Sequence, residues 1–336
     1  MKRAFLRGAV ALLALVLSGS LESSRAEDLP PGVTRIVPRG KIRAIVEPEF
    51  VSADKAEIPS DAWVLGVATG GEARAYDLNL MNRHEVVNDR IGDQPFAAVW
   101  CPLANAGVAY DRRGPDGELT FEASGCLQAA AIVMQDQETD TWWSFSVGRA
   151  IGGKHKGTRL ELLPIARKTT WATWSQENPN TVVLSVNGVT HVEENPYKEY
   201  FASTEPYQGI RPADDRLEPR TPVFVFWDKE GNPIVVPHER IEGGRTFAPD
   251  GGLEVDTPNV FLLRRRGTPV IESTRAYWFP QEFKMDPTTN PKRLLLRIEE
   301  TLLDPIAAES IGVARLVGFD TYWYNWASQH EGSRLE

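Results

Sequence analysis

The sequence predicts a mainly β protein with a few short helices, an α+β chain of antiparallel sheets arranged as a barrel or sandwich. Three observations carry this expectation. Short apolar runs recur with turn residues at intervals of roughly eight to twelve residues. Glu72 to Leu78 and Leu119 to Ala123 alternate with the two-residue period of a strand. Helical periodicity is confined to brief stretches, Leu78–Val87 and Thr170–Glu177, the latter stopped by Asn178-Pro179.

The elements follow in order. Residues 27–60 carry Pro30-Pro31, Pro38, Pro48 and Pro59 and predict an extended lead-in. Residues 61–186 form the first β-rich core. Trp63 to Ala68, the Gly70-Gly71 pair and Glu72 to Leu78 predict a hairpin. Pro95 to Cys101 and Gly107 to Arg113 are further strand runs, Gly114-Pro115-Asp116-Gly117 a turn, and Ala130 to Gln135 another run. Residues 187–220 hold four prolines together with Tyr197, Tyr200, Phe201 and Tyr207, which predicts a connection that packs on the core through its aromatics. Residues 221–330 form a second β-rich block, opening on Val223-Phe224-Val225-Phe226-Trp227 and ending in helices. Asp304-Pro305 signals the start of one, reaching about Leu316. Trp171-x-x-Trp174 and Trp323-x-x-Trp326 echo each other. Either one module is duplicated, or aromatics three apart simply form a buried helix face in each place.

Of 336 residues, 37 are Lys or Arg and 46 are Asp or Glu, a net charge of −9. Residues 1–26 have the order of a secretory signal peptide: Lys2, Arg3 and Arg7, an apolar stretch from Gly8 to Leu17, then Ser24-Arg25-Ala26 as a cleavage site. The expectation is a periplasmic or secreted protein cut near Ala26. Loss of that basic leader makes the chain more acidic, which argues against nucleic acid and anionic lipid, both approached through Lys/Arg surfaces. No later stretch reaches the roughly 20 apolar residues of a membrane span. The expected partner is an extracytoplasmic protein or a small molecule.

Cys101 is the most informative position. It closes an apolar run and is followed by Pro102-Leu103-Ala104, resembling the reactive end of a C-x-x-C motif whose partner slot holds alanine. Cys126 is the other cysteine. In an exported protein a Cys101–Cys126 disulfide is the first expectation, structural or redox-active, with two separate thiols the remaining choice. His84 could act on Cys101 as a base or share a metal with it. Cys101, Cys126, His84 and Met134 together would suit a soft metal such as copper, since thiolate, thioether and imidazole select it. Equally, His84 could simply bond within a turn. A zinc-protease reading of His84-Glu85 fails because position 88 is Asn. Trp142-Trp143 and the paired tryptophans read as core. No G-x-S-x-G, phosphate loop or dinucleotide fingerprint is present.

Gly71-Glu72-Ala73-Arg74-Ala75-Tyr76, His84 to Asp89, Trp100-Cys101-Pro102-Leu103, Gly107 to Arg112, Ser124-Gly125, Trp142 to Gly148 and Leu162-Leu163-Pro164 occur in order over roughly Ile45–Tyr207. In this the sequence resembles the bacterial exported family called domain of unknown function 3179. The resemblance implies an exported thiol or selenol redox site, with a link to metal left open, because the fourth position of C-P-L-x in that family holds cysteine or selenocysteine. Ala104 departs from it and removes local dithiol exchange, which needs a second sulfur to resolve the mixed disulfide. Two readings stand: a thiol redox or soft-metal site centred on Cys101, and a non-catalytic extracytoplasmic binding or structural β module.

Overall fold

The computed structural model describes residues 28–228, 230–248, 250–253, 255, 259–264, 266–279, 283–285, 296–298, 301–303 and 313–336. The leader expected at residues 1–26 and the start of the helix expected at Asp304 lie outside them. Strands dominate, pairing mostly antiparallel, and the longest described helix is Trp171–Glu177.

The first core opens on the predicted hairpin. Trp63–Thr69 pairs with Glu72–Asp77, and Gly70 and Gly71 both take positive φ (59° and 81°). A two-residue turn of this hand needs positive φ at both central positions, which glycine adopts without a Cβ clash. Asp77 then caps a single helical turn, Leu78–Met81, by accepting from the Leu80 amide at 2.8 Å. The helix expected as far as Val87 stops there, because Glu85 turns left-handed (φ 59°) and Val86–Ile91 is already a strand. That strand begins a meander of Val86–Ile91, Gln94–Cys101 and Ala106–Asp111, joined at its far edge by Leu162–Leu163. Ala166–Thr170 returns antiparallel to Trp63–Thr69 and leads into the helix Trp171–Glu177, capped by Thr170. Val182–Ser185 closes the sheet parallel to Glu72–Asp77. A further sheet of Val33–Arg35, Phe121–Gln128, Ala131–Asp136, Trp142–Ser144 and Ala150–Gly152 lies between the third and fourth strands of the meander in sequence, apart from its lead-in edge strand. The lead-in is therefore not wholly irregular. Val33–Arg35 and Glu49–Ser52 find edge positions, where neighbouring prolines do no harm.

The second block repeats this order. Pro222–Trp227 and Pro233–Pro237 form the hairpin, and His238–Ile241 the single helical turn. Arg245–Ala248, Val260–Leu263, Arg275–Trp278 and Ala314–Arg315 form the meander with its edge strand. Gly318–Tyr322 returns antiparallel to Pro222–Trp227 and enters the helix Trp323–Ala327, and Arg334–Leu335 lies parallel to Pro233–Pro237. Ala314–Arg315 pairs with Tyr277 and Trp278, so the helix expected as far as Leu316 does not extend that far. The W-x-x-W echo thus marks matching points of two halves with one topology. It also marks buried helix faces, since all four tryptophans are buried.

The halves interlock. Val99, Cys101, Met134 and Trp143 of the first share one apolar cluster with Val223, Phe319, Trp323 and Trp326 of the second. Lys168 donates its amide to Ser273 Oγ (2.8 Å), and Thr321 Oγ1 donates to Ala104 O (3.2 Å). In each half the return strand touches the meander loop of the other. The connection packs on the core as expected, with Tyr197, Tyr200 and Tyr207 against that cluster.

Candidate functional site

Cys101 ends the strand Gln94–Cys101, in register with Ala106. The chain between them is a tight loop closed by Asn105 N–H to Pro102 O (3.1 Å), with Asn105 left-handed at φ 52°. The loop carbonyls are held from outside. Tyr200 and Tyr324 hydroxyls both donate to Leu103 O (2.5 and 3.2 Å), Thr321 Oγ1 donates to Ala104 O, and the Lys168 amine donates to Asn105 O. A peptide is planar with its C=O and N–H opposed, so fixing the Leu103 carbonyl outward aims the Ala104 N–H inward. The inward groups meet sulfur. Ile132 N–H from the neighbouring sheet donates to Cys101 Sγ at 3.4 Å, and the backbone amides of Ala104 and Leu103 also favour the charged form of the sulfur.

Glu85 stands beside this sulfur. Its amide bonds Met81 O (2.7 Å) and its carbonyl accepts from Trp100 N–H (2.9 Å), which ties it to the strand that carries Cys101. Positive φ in a non-glycine residue costs on the order of 1–2 kcal/mol and persists only where the surroundings impose it. Here it interrupts strand alternation just before Val86. The Glu85 side chain is 5 % exposed, and among the described residues its carboxyl has no hydrogen-bond partner. Burial alone pushes it up to about 8, so at neutral pH the acid is mostly neutral. The Cys101 thiol is pushed up to about 12, first by burial and then by the neighbouring Glu85, against the opposing pull of the three amides. At rest the pair is two buried, neutral acids.

Glu85, Pro102, Leu103, Ile132, Tyr197 and Tyr207 line a largely apolar cavity of about 160 Å³. Burial raises the Tyr197 hydroxyl, with Glu85 and Cys101 adding to the shift. The lead-in covers one side with Ile36, Val37 and Ile42. Ile36 and Val37 bond Gly125 O, and any Cβ at Gly125 would lie 2.3 Å from Val37 O. The left-handed glycine is what lets the lead-in backbone close on the strand.

The residues expected from sequence are partly gathered here. Cys126 lines the cavity, but no disulfide joins it to Cys101, so the expected bridge is not formed. Cys126 is in register with Val133 and packs with Val133 and Trp142, whereas Cys101 packs with Val99, Ala104 and Met134. Neighbouring positions of a strand face opposite ways, and accordingly Ile132 belongs to the apolar cluster of Cys101 and Val133 to that of Cys126. Met134 is fully buried in the cluster of Cys101. The His84 ring is half-buried and its Nδ1 bonds Arg43 O at 2.7 Å, so it ties the lead-in to the core and makes neither the expected bond within its own turn nor a bond to the sulfur. Among the described residues no group of three or more His, Cys, Asp or Glu is arranged to hold a metal. Met134 shares the cluster of Cys101, but Cys126 packs in another cluster and the His84 ring is bonded to Arg43 O, so the four-residue soft set expected for copper is not assembled.

Glu85, Tyr197, Tyr200, Tyr324, Thr321 and Lys168 were not legible as site residues. Their only sequence signals were a carboxylate next to His84 and an aromatic-rich connection; the rest arrive by tertiary contact.

Fold and site together define a class: a β protein of two interlocked, topologically matching halves, with a buried thiol–carboxyl pair under an apolar cavity. The chain belongs to the family described as protein of unknown function (DUF3179), whose model matches residues 39–333 and so reaches well beyond the stretch over which the resemblance was read. No curated protein matches the chain, and no solved structure does. No helix of the described residues is long and apolar enough to cross a membrane.

Proposed function

We propose that this is an exported protein, released from the leader at residues 1–26, whose Cys101 is a one-thiol redox site served by Glu85. The co-reactant is a small hydroperoxide admitted to the cavity. Sulfur attacks one peroxide oxygen: an S–O bond forms and the O–O bond breaks. Cys101 is oxidised by two electrons to the sulfenic acid and the peroxide is reduced to an alcohol or water. The thiol proton must reach the leaving oxygen. A neutral carboxylic acid has one oxygen to give a proton and one to take it, so Glu85 can relay this proton without carrying charge in a dry cavity. The three amides at sulfur stabilise negative charge as it develops there.

The observation that carries this reading is the buried Glu85 carboxyl, without a hydrogen-bond partner among the described residues, in a cavity wall it shares with Pro102, Leu103 and Ile132, the residues that adjoin the Cys101 sulfur or donate to it. Both groups are made weaker acids by burial, which fits a relay better than a standing thiolate. Ala104 leaves no local resolving thiol, so an external thiol would return the sulfenic acid to the resting state.

The test is oxidation of the mature protein with hydrogen peroxide and with an aromatic hydroperoxide, trapping sulfenic acid with dimedone and locating it by mass spectrometry. A single adduct on Cys101 is expected, formed about a hundredfold more slowly in Glu85→Gln, which has no acidic proton to relay. No Cys101 adduct in folded protein, or an unchanged rate in Glu85→Gln, overturns the proposal and leaves a binding module. N-terminal sequencing of exported protein tests the leader, with Glu27 expected first.

A further inference from the structure

A second cavity, of about 480 Å³, lies where the halves meet. Arg167, Trp174, Glu177 and Asn178 line it from the first half, and Arg275 and Arg315 from the second. Arg167 is 5 % exposed. Its Nη1 bonds Glu177 at 2.5 Å, while its Nε and Nη2 are buried with no hydrogen-bond partner among the described residues. Burial lowers Arg167, and Arg275 lowers it further by like-charge repulsion. Although Glu177 and Glu272 oppose the shift, a buried guanidinium with two unmet nitrogens and a second guanidinium close by is a costly arrangement.

The matching of the halves shows what the fold does at this place when nothing else is asked of it. Counting from the helix Trp171–Glu177 and from Trp323–Ala327, Arg167 corresponds to Phe319 and Trp174 to Trp326. Aligning Tyr110 with Tyr277 makes Arg275 correspond to Val108 and Arg315 to Leu162. Phe319, Trp326, Val108 and Leu162 pack together in the large apolar cluster, with Phe319 and Trp326 in edge contact at 6.1 Å. The same four positions are closed hydrocarbon core on one side and three arginines around a cavity on the other. Only the tryptophan is common. On the arginine side it lies flat over Gly66 beneath Arg167, with the guanidinium carbon 5.8 Å from the ring centroid.

We propose that this junction cavity binds a small oxyanion, a carboxylate or phosphate group, between Arg167, Arg275 and Arg315. The planar fork of arginine matches paired oxygens, and an anion here satisfies the orphan nitrogens of Arg167 and relieves its repulsion with Arg275. Because the arginines come from both halves, the bound anion bridges them. The site is separate from the Cys101 cavity, with no lining residue in common.

The test is titration of the mature protein with inorganic phosphate and, separately, with succinate at low ionic strength, followed by calorimetry and thermal melting. Saturable binding at one site and a rise in Tm with ligand are expected. Arg315→Gln, at the less buried wall, is expected to weaken binding about tenfold while leaving the far-ultraviolet spectrum unchanged. Arg275→Gln is the second variant, should the first not fold. Whichever anion binds more tightly identifies the oxyanion geometry. No saturable binding of either, or binding unchanged in the folded arginine variants, overturns the proposal.

Discussion

Lys168 and Asp320 occupy matching positions in the two halves, each three residues before a paired-tryptophan helix, and both are buried where the halves meet. Burial draws the Lys168 amine down to about 8, against the attraction of Asp320. Burial would raise Asp320, but His238, with Nε2 at 2.6 Å, together with Lys168 and Arg264 outweighs it, and the carboxylate is held at about 2. Thr274 adds its amide (2.7 Å) and hydroxyl (2.5 Å). One topology has placed an opposite charge at each of its two copies.

Asp320→Asn keeps the shape and removes the charge that Lys168, His238 and Arg264 all sense. The expected loss is about 3 kcal/mol, the scale for leaving a buried charge without its partner. Urea unfolding at neutral pH reads it, and a loss under about 1 kcal/mol would show the network to be incidental.

Glu85 gives stability a pH dependence of definite sign. Its folded value of about 8 stands above the ordinary 4.5, so between those pH values the folded protein holds a proton that the unfolded chain has lost. This contribution is full below pH 4.5 and declines as pH rises through about 8, an effect on the order of 5 kcal/mol. Glu85→Gln is expected to flatten that slope across the window in denaturant titrations. A slope identical to that of the parent would refute the assignment.

The two cysteines contribute nothing to stability by cross-linking. Melting with and without a thiol reductant is expected to give the same Tm. A fall of several degrees on reduction would mean that a bridge forms in solution.

Gly66 lies under the Trp174 ring, where a Cβ would stand 2.4 Å from ring carbon. Gly66→Ala is expected to cost about 1–3 kcal/mol by overpacking and to disturb the oxyanion cavity, whose wall Trp174 forms. Preserved stability together with preserved anion binding would contradict that packing.

Much of this architecture was legible in the sequence because its signals are local. Gly70-Gly71 fixes a hairpin, Thr170 caps a helix, and alternation marks the strands. Cys101 also stood out, at the end of an apolar run with proline beyond it. Glu85 did not. It reads as the neighbour of a more conspicuous histidine, yet with its left-handed backbone it is Glu85, and not His84, that lines the apolar cavity next to the Cys101 loop. The arginine cavity was invisible for another reason: Arg167 and Arg315 are 148 positions apart in the chain and meet only through the pairing of halves. The lead-in was read as unpaired because prolines mask the two edge strands between them.

The exchange of loops between return strands has a further consequence. The peptide around Cys101 takes its hydrogen bonds from Thr321 and Tyr324, far along the chain, while Ser273 leans on Lys168 in return. Neither half carries its own complete scaffold. A protease cut in the surface connection should therefore leave two fragments that travel as one particle, and synthesis of either fragment by itself should yield a chain that does not hold a native shape.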